Sequence, residues 1–104
     1  MTVTDGAVQA YAALTVGSLS IADATTSVTF NGAIDASTTI TVVSGGTIVQ
    51  TGAVTTATTV DYDAGSTIAL NAAITASSTV AIDSTGVTTI AAAGDIVAGG
   101  AVTF

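Results

Sequence analysis

Lysine, arginine, histidine and glutamate are all missing from this chain of 104 residues, and its seven Asp set the net charge at −7. Nucleic-acid binding needs cations to displace condensed counterions, and no side chain here supplies one. The same absence argues against attachment to anionic membrane surfaces. Without cysteine there are no disulfides and no thiol chemistry. Without proline, no position in a β ladder loses its donor. Long apolar runs are missing too. Thr, Ser, Gly or Asp interrupts every stretch well short of the roughly 18 residues of a membrane span, so membrane insertion is not expected. The opening MTVTDGAVQA lacks the basic region and apolar run of a signal peptide, which leaves a removed leader or an excised segment as the alternatives.

Catalysis is short of equipment. Acid–base chemistry would have to rest on Asp and two Tyr, and the Ser and Thr hydroxyls have no His or Lys to activate them. The sequence therefore predicts a protein that is not an enzyme.

What is present is apolar but small. Apolar residues make up 49% of the chain, dominated by Ala, Val and Ile, with two Phe and two Tyr as the only aromatics. Such side chains bury little area each, while every ordered residue costs about 1–2 kcal/mol of backbone entropy. A thin core repeated many times suits them better than one thick core.

A repeat of twenty residues supplies that arrangement. SVTFNGAIDASTTITVVSGG from Ser27, TIVQTGAVTTATTVDYDAGS from Thr47 and TIALNAAITASSTVAIDSTG from Thr67 align without a gap. Val28, Ile48 and Ile68 share a column, as do Phe30, Gln50 and Leu70, and Ile34, Val54 and Ile74. Thr39, Thr59 and Thr79 precede Ile40, Val60 and Val80, followed by Val42, Tyr62 and Ile82. A further copy begins at Thr89 after two extra residues, and a weaker first copy carries Val8, Leu14, Leu19 and Ile21. The expected organisation is a single repetitive domain over 1–104, with coils at about 7–26, 27–46, 47–66, 67–88 and 89–104.

Each copy alternates polar and apolar residues with period two, as in Thr39-Ile40-Thr41-Val42, and then turns at Ser44-Gly45-Gly46, Ala64-Gly65-Ser66 or Ser84-Thr85-Gly86. Ala91-Ala92-Ala93 reads as a strand edge or corner rather than a helix. The predicted fold is all-β: a parallel β-solenoid or β-arch stack of about five coils of about 20 residues. Aliphatic columns would stack inside, and Thr39, Thr59 and Thr79 would form an external hydroxyl ladder. The alternative is an antiparallel β-sandwich, although its hairpin signals, Asn31-Gly32 and Asp5-Gly6, do not recur with the repeat.

The carboxylates are the remaining candidates for chemistry. Asp61 and Asp63 flank Tyr62 on one strand face, the equipment of a two-carboxylate glycosidase, but solvated residues beside a turn account for them. Asp83-Ser84-Thr85-Gly86 reads as a turn capped by its Asp. Asp23, Asp63 and Asp83 share a column interrupted by Val43. Stacked carboxylates repel unless a cation bridges them or one is protonated, and oxygen ligands suit Ca²⁺. Asp63, Asp83, Asp61 and Asp23 are thus the candidate metal ligands, with screened outward turn residues as the alternative. No other cofactor is expected. Neither an EF-hand loop nor a glycine–aspartate calcium nonapeptide occurs.

From Thr67 onward, the segments Asn71-Ala72-Ala73, Ala93-Gly94-Asp95-Ile96 and Gly100-Ala101-Val102-Thr103 resemble the β-strand repeats of filamentous-haemagglutinin-like surface adhesins. That resemblance implies right-handed β-helical coils, an extracellular or cell-surface location, and a surface glycan or host ligand as partner. The chain is far shorter than those proteins and lacks their secretion domain. Its repeat length also resembles that of curli-like functional amyloids, but Gln50, Asn31 and Asn71 do not form their regular ladders.

The ends complete the reading. MTVTDG offers little to cap an open coil, and Val102-Thr103-Phe104 corresponds to the start of the strand at Val80-Ala81-Ile82. The expected partner is therefore the chain itself, coil on coil, in an amyloid-like extracellular filament, tube or sheath. An excised segment of a large cell-surface adhesin is the alternative.

Overall fold

The computed structural model describes residues 1–3, 9–24, 26–56 and 58–104. The chain winds through three strands per coil. The first coil holds β1 (Thr2–Val3), β2 (Gln9–Tyr11) and β3 (Leu14–Val16). The second holds β4 (Leu19–Ala24), β5 (Ser27–Phe30) and β6 (Ile34–Ala36). The third holds β7 (Ile40–Ser44), β8 (Thr47–Gln50) and β9 (Val54–Thr56), and the fourth β10 (Val60–Ala64), β11 (Ile68–Leu70) and β12 (Ile74–Ala76). The fifth holds β13 (Val80–Ser84), β14 (Thr88–Ile90) and β15 (Ile96–Ala98), and β16 (Val102–Thr103) opens a sixth.

Three sheets run along the axis. Sheet A is β1-β4-β7-β10-β13-β16, sheet B is β2-β5-β8-β11-β14, and sheet C is β3-β6-β9-β12-β15. Every strand pairing among the described residues is parallel. The protein is therefore a three-sided parallel β-solenoid of about five coils, and the antiparallel sandwich is excluded.

Register follows the repeat. Ile34 pairs with Val54 and Val54 with Ile74, a step of twenty residues. Because side chains alternate along a strand, one set points inward at every coil. Leu19, Ile40, Val60 and Val80 stack in sheet A, Val28, Ile48 and Ile68 in sheet B, and Ile34, Val54 and Ile74 in sheet C, all buried. Burying one such side chain contributes about 1.5–3 kcal/mol. Stacked β-branched residues keep the strand conformation that suits their restricted χ1.

Two expectations need correction. The two extra residues do not precede Thr89: Ile68 pairs with Thr88 and Leu70 with Ile90, still a step of twenty. The step first widens to twenty-two at Ile74–Ile96 and stays there at Val80–Val102, so the insertion lies in the corner from Ala91 to Asp95. There the Gly94 amide donates to the Ala91 carbonyl at 2.8 Å, closing a turn that the three alanines enter. The hydroxyl ladder is also displaced. Thr39, Thr59 and Thr79 lie outside the core, but it is their carbonyls that join coils, accepting from Leu19, Ile40 and Val60. The bonded hydroxyls sit one residue earlier: Thr38 donates to the Gly17 carbonyl at 2.8 Å and Thr58 to the Thr38 carbonyl at 2.6 Å. A threonine at the corner itself can reach the corner carbonyl beneath it, whereas the next residue is already turning into the strand.

The corners are tight. A Cβ on Gly52 would overlap the backbone of Gly32 directly below it, and one on Gly46 would overlap the carbonyl of Thr26. Inward hydroxyls satisfy the same bends: Ser44 Oγ donates to the Thr47 carbonyl at 3.1 Å and accepts from the Gly46 amide at 3.3 Å.

Candidate functional site

Two features stand apart from the repeated core: an acidic strip on the outer face of sheet A, and the surfaces of the terminal coils.

The strip is built by alternation. Val60, Tyr62 and Ala64 of β10 point inward, so Asp61 and Asp63 point outward and are exposed. Asp63 pairs in register with Asp83 on β13, and Asp61 with Ala81. Asp61 and Asp83 also line an open depression of about 270 Å³ with Ala81, Ile82, Thr103 and Phe104. The fourth predicted ligand, Asp23, lies on the backbone of β4 beside a register irregularity between Ile21 and Ala24, and its side chain is outside the described residues, as is Val8 of the first repeat copy. Among the described residues no group of three or more His, Cys, Asp or Glu side chains is placed to hold a metal. Two stacked carboxylates supply few of the roughly six to eight oxygens that Ca²⁺ takes. The turn that follows is held by hydroxyls rather than by Asp83: Ser84 Oγ lies 2.9 Å from Thr88 Oγ1 and donates to the Gly86 carbonyl at 3.3 Å, and Thr85 donates to the Gly65 carbonyl.

The interior holds a polar cluster that sequence reasoning missed. Gln50 occupies the inward column between Phe30 and Leu70 and is fully buried. Its Nε2 donates to the carbonyls of Ala72 and Ala73, each at 3.1 Å, one coil above. Its Oε1 accepts from the Tyr62 hydroxyl at 3.2 Å. No buried side-chain polar atom among the described residues lacks a partner. Burial pushes the Tyr62 phenol far above its ordinary value, because a phenolate there would lose its hydration. Phe30 stacks between Tyr11 and Tyr62, with ring centroids 5.8 and 6.2 Å away. The signal for this cluster was a polar residue in an otherwise apolar column, paired with a tyrosine in the column of Val42 and Ile82.

The terminal coils differ from the middle. The inward columns of sheets A and B reach Val102 and Ile90, which are 41% and 45% exposed. Val87, Val97 and Phe104 add exposed apolar surface at the same end. At the opposite end Val3, Tyr11, Leu14 and Val16 are half-buried and pack against the core. The outermost strands are β14, β15 and β16 at one end and β1, β2 and β3 at the other.

No protein-family model, no curated protein and no solved structure matches the chain. The agreement with filamentous-haemagglutinin-like repeats is one of architecture, a parallel β-solenoid of short coils.

Proposed function

We propose that the chain is a structural protein that stacks edge to edge on copies of itself, forming an extracellular filament, tube or sheath. One observation supports this above all others. The third coil meets the fourth through parallel ladders that step by twenty residues in every sheet, and the outermost strands present the same kind of open parallel edge. A head-to-tail contact of that kind is open and propagates. The partly exposed Ile90 and Val102 give a second copy apolar area to bury. A net charge of −7 with no cationic side chain favours axial growth over lateral clumping, since filament flanks repel. The same lack of Lys and Arg removes trypsin-type cleavage sites, which suits an extracellular role. No catalytic group, cofactor or nucleic-acid contact enters this reading.

The second reading is a β-helical segment of a large surface adhesin, favoured by the solenoid architecture itself. There the terminal coils are covered by further coils of one longer chain, and the outer faces meet a glycan or host ligand. Electron microscopy and light scattering of the purified 104-residue chain, with and without a calcium chelator, separate the two. Self-assembly predicts filaments that lengthen with concentration. Discrete particles at every concentration would contradict it and favour the adhesin segment. Dissolution by chelator alone would assign the Asp63–Asp83 pair a bridging cation.

A further inference from the structure

We propose that Gln50 and Tyr62 form a register key, a buried polar pair that makes the third coil accept the fourth and reject every other coil. The inference concerns the chain alone and holds whether or not copies stack. A twenty-residue repeat creates the problem that such a key solves. Shifting one coil past another by a whole repeat keeps inward residues inward, so alternation does not penalise it. The aliphatic columns penalise it little. Ile40 rests on Val60 in sheet A, and the fifth coil would offer Val80 in that place. Val54 rests on Ile74 in sheet C, and the fifth coil would offer Ile96.

Two columns break this equivalence. Phe30, Gln50, Leu70 and Ile90 succeed one another in sheet B, and Ile21, Val42, Tyr62 and Ile82 in sheet A. All three side-chain hydrogen bonds of Gln50 go to the fourth coil: two from Nε2 to the Ala72 and Ala73 carbonyls, and one from the Tyr62 hydroxyl to Oε1. With the fifth coil in that place, Ile82 stands where Tyr62 stood. The corner from Ala91 to Asp95, two residues longer, stands where Ala72 and Ala73 stood. Gln50 is fully buried, so water does not replace the lost partners. Tyr62, equally buried, meets Phe30 or Leu70 instead of Gln50 when its coil is misplaced, and neither accepts a hydrogen bond. Each orphaned group disfavours the wrong register by roughly tenfold, whereas in the native register both are satisfied. The pair therefore discriminates between registers even where two apolar residues would be as stable.

The absence of cysteine makes the test direct. On the outer face of sheet B, Val49 pairs with Ala69 and Ala69 with Thr89. Val49→Cys with Ala69→Cys in one chain reports the native register. Val49→Cys with Thr89→Cys reports a skipped fourth coil, because two strands, about 9.6 Å, separate those positions in the native fold, beyond the roughly 7 Å that a disulfide spans. Both pairs are placed in the unmodified chain, in Tyr62→Phe and in Gln50→Leu/Tyr62→Phe. The chains are refolded at low concentration under mild oxidation, and links within monomers are counted. The native link is expected to dominate in the unmodified chain. The skipped link should rise roughly threefold in Tyr62→Phe, which removes one discriminating bond, and roughly tenfold in the double variant, which removes all three. A role in stability alone predicts the opposite order, since Tyr62→Phe strands the Gln50 oxygen and the double variant strands no side chain. A skipped link that rises in neither variant, or rises more in Tyr62→Phe than in the double variant, overturns the key.

Discussion

Ile40 and Ile90 are both aliphatic residues in inward columns, yet Ile40 is fully buried and Ile90 is 45% exposed. Ile40 lies between Leu19 and Val60, whereas Ile90 has Leu70 on one side only. The chemistry is identical and the neighbours differ. Each coil of a solenoid is stabilised by the coils directly above and below it, so stability is a sum of nearest-neighbour contacts and is lowest at the ends. Between the third and fourth coils every sheet steps by twenty residues, while sheet A steps by twenty-one from Leu19 to Ile40, sheet C by twenty-two at its outer strand and sheet B by nineteen at the opposite end.

The sharpest way to break this comparison is a cavity. Ile40→Ala is expected to cost about 2–5 kcal/mol, since packed neighbours collapse only partly into the space left behind. Ile90→Ala in the unassembled chain is expected to cost less than about 1 kcal/mol. Denaturant titrations of the two variants measure the difference, and equal losses would mean that the terminal coil is as well packed as the middle. A corner comparison comes next. Gly52→Ala forces a Cβ into the backbone of Gly32 and is expected to lose on the order of 2–3 kcal/mol. Gly17→Ala, whose nearest atom is Ser37 Oγ at 3.9 Å, is expected to be neutral or slightly stabilising in the same titration.

The polar cluster gives a smaller, signed effect. Gln50→Leu leaves the buried Tyr62 hydroxyl without its acceptor and should lose about 1–3 kcal/mol. Adding Tyr62→Phe removes the orphan and should recover most of that loss, a pattern a double-mutant cycle reads directly. The smallest effect is in pH. The folded phenol of Tyr62 titrates above the unfolded one, so its contribution is intact below the unfolded value of about 10 and falls as pH rises beyond it. Thermal melts should therefore weaken above about pH 10, and less so in Tyr62→Phe; Tyr11, raised in the same direction by burial, leaves a weaker residual dependence.

The column alignment from Ser27 to Gly86 was legible in the sequence because a side-chain period of two and a coil period of twenty both leave marks on residue type. Val28, Ile48 and Ile68 meet where their shared column placed them. What escaped was local. The alignment of Thr67 with Thr89 matched residue identities, and the corner at Ala91–Asp95 absorbed the insertion because a corner lengthens without breaking a ladder. Gln50 was visible as an odd residue, but only three dimensions bring it to Tyr62, twelve positions away in another sheet. The Asp61, Asp63 and Asp83 strip was readable from alternation and register, since both depend on counting residues.

X-ray diffraction from an aligned, concentrated preparation of the chain tests the central claim most directly. Coil-on-coil stacking through successive copies predicts a sharp meridional reflection at about 4.8 Å, with strands perpendicular to the fibre axis. A preparation that stays isotropic, scattering as separate solenoids of 32 × 28 × 20 Å at every concentration, would contradict it.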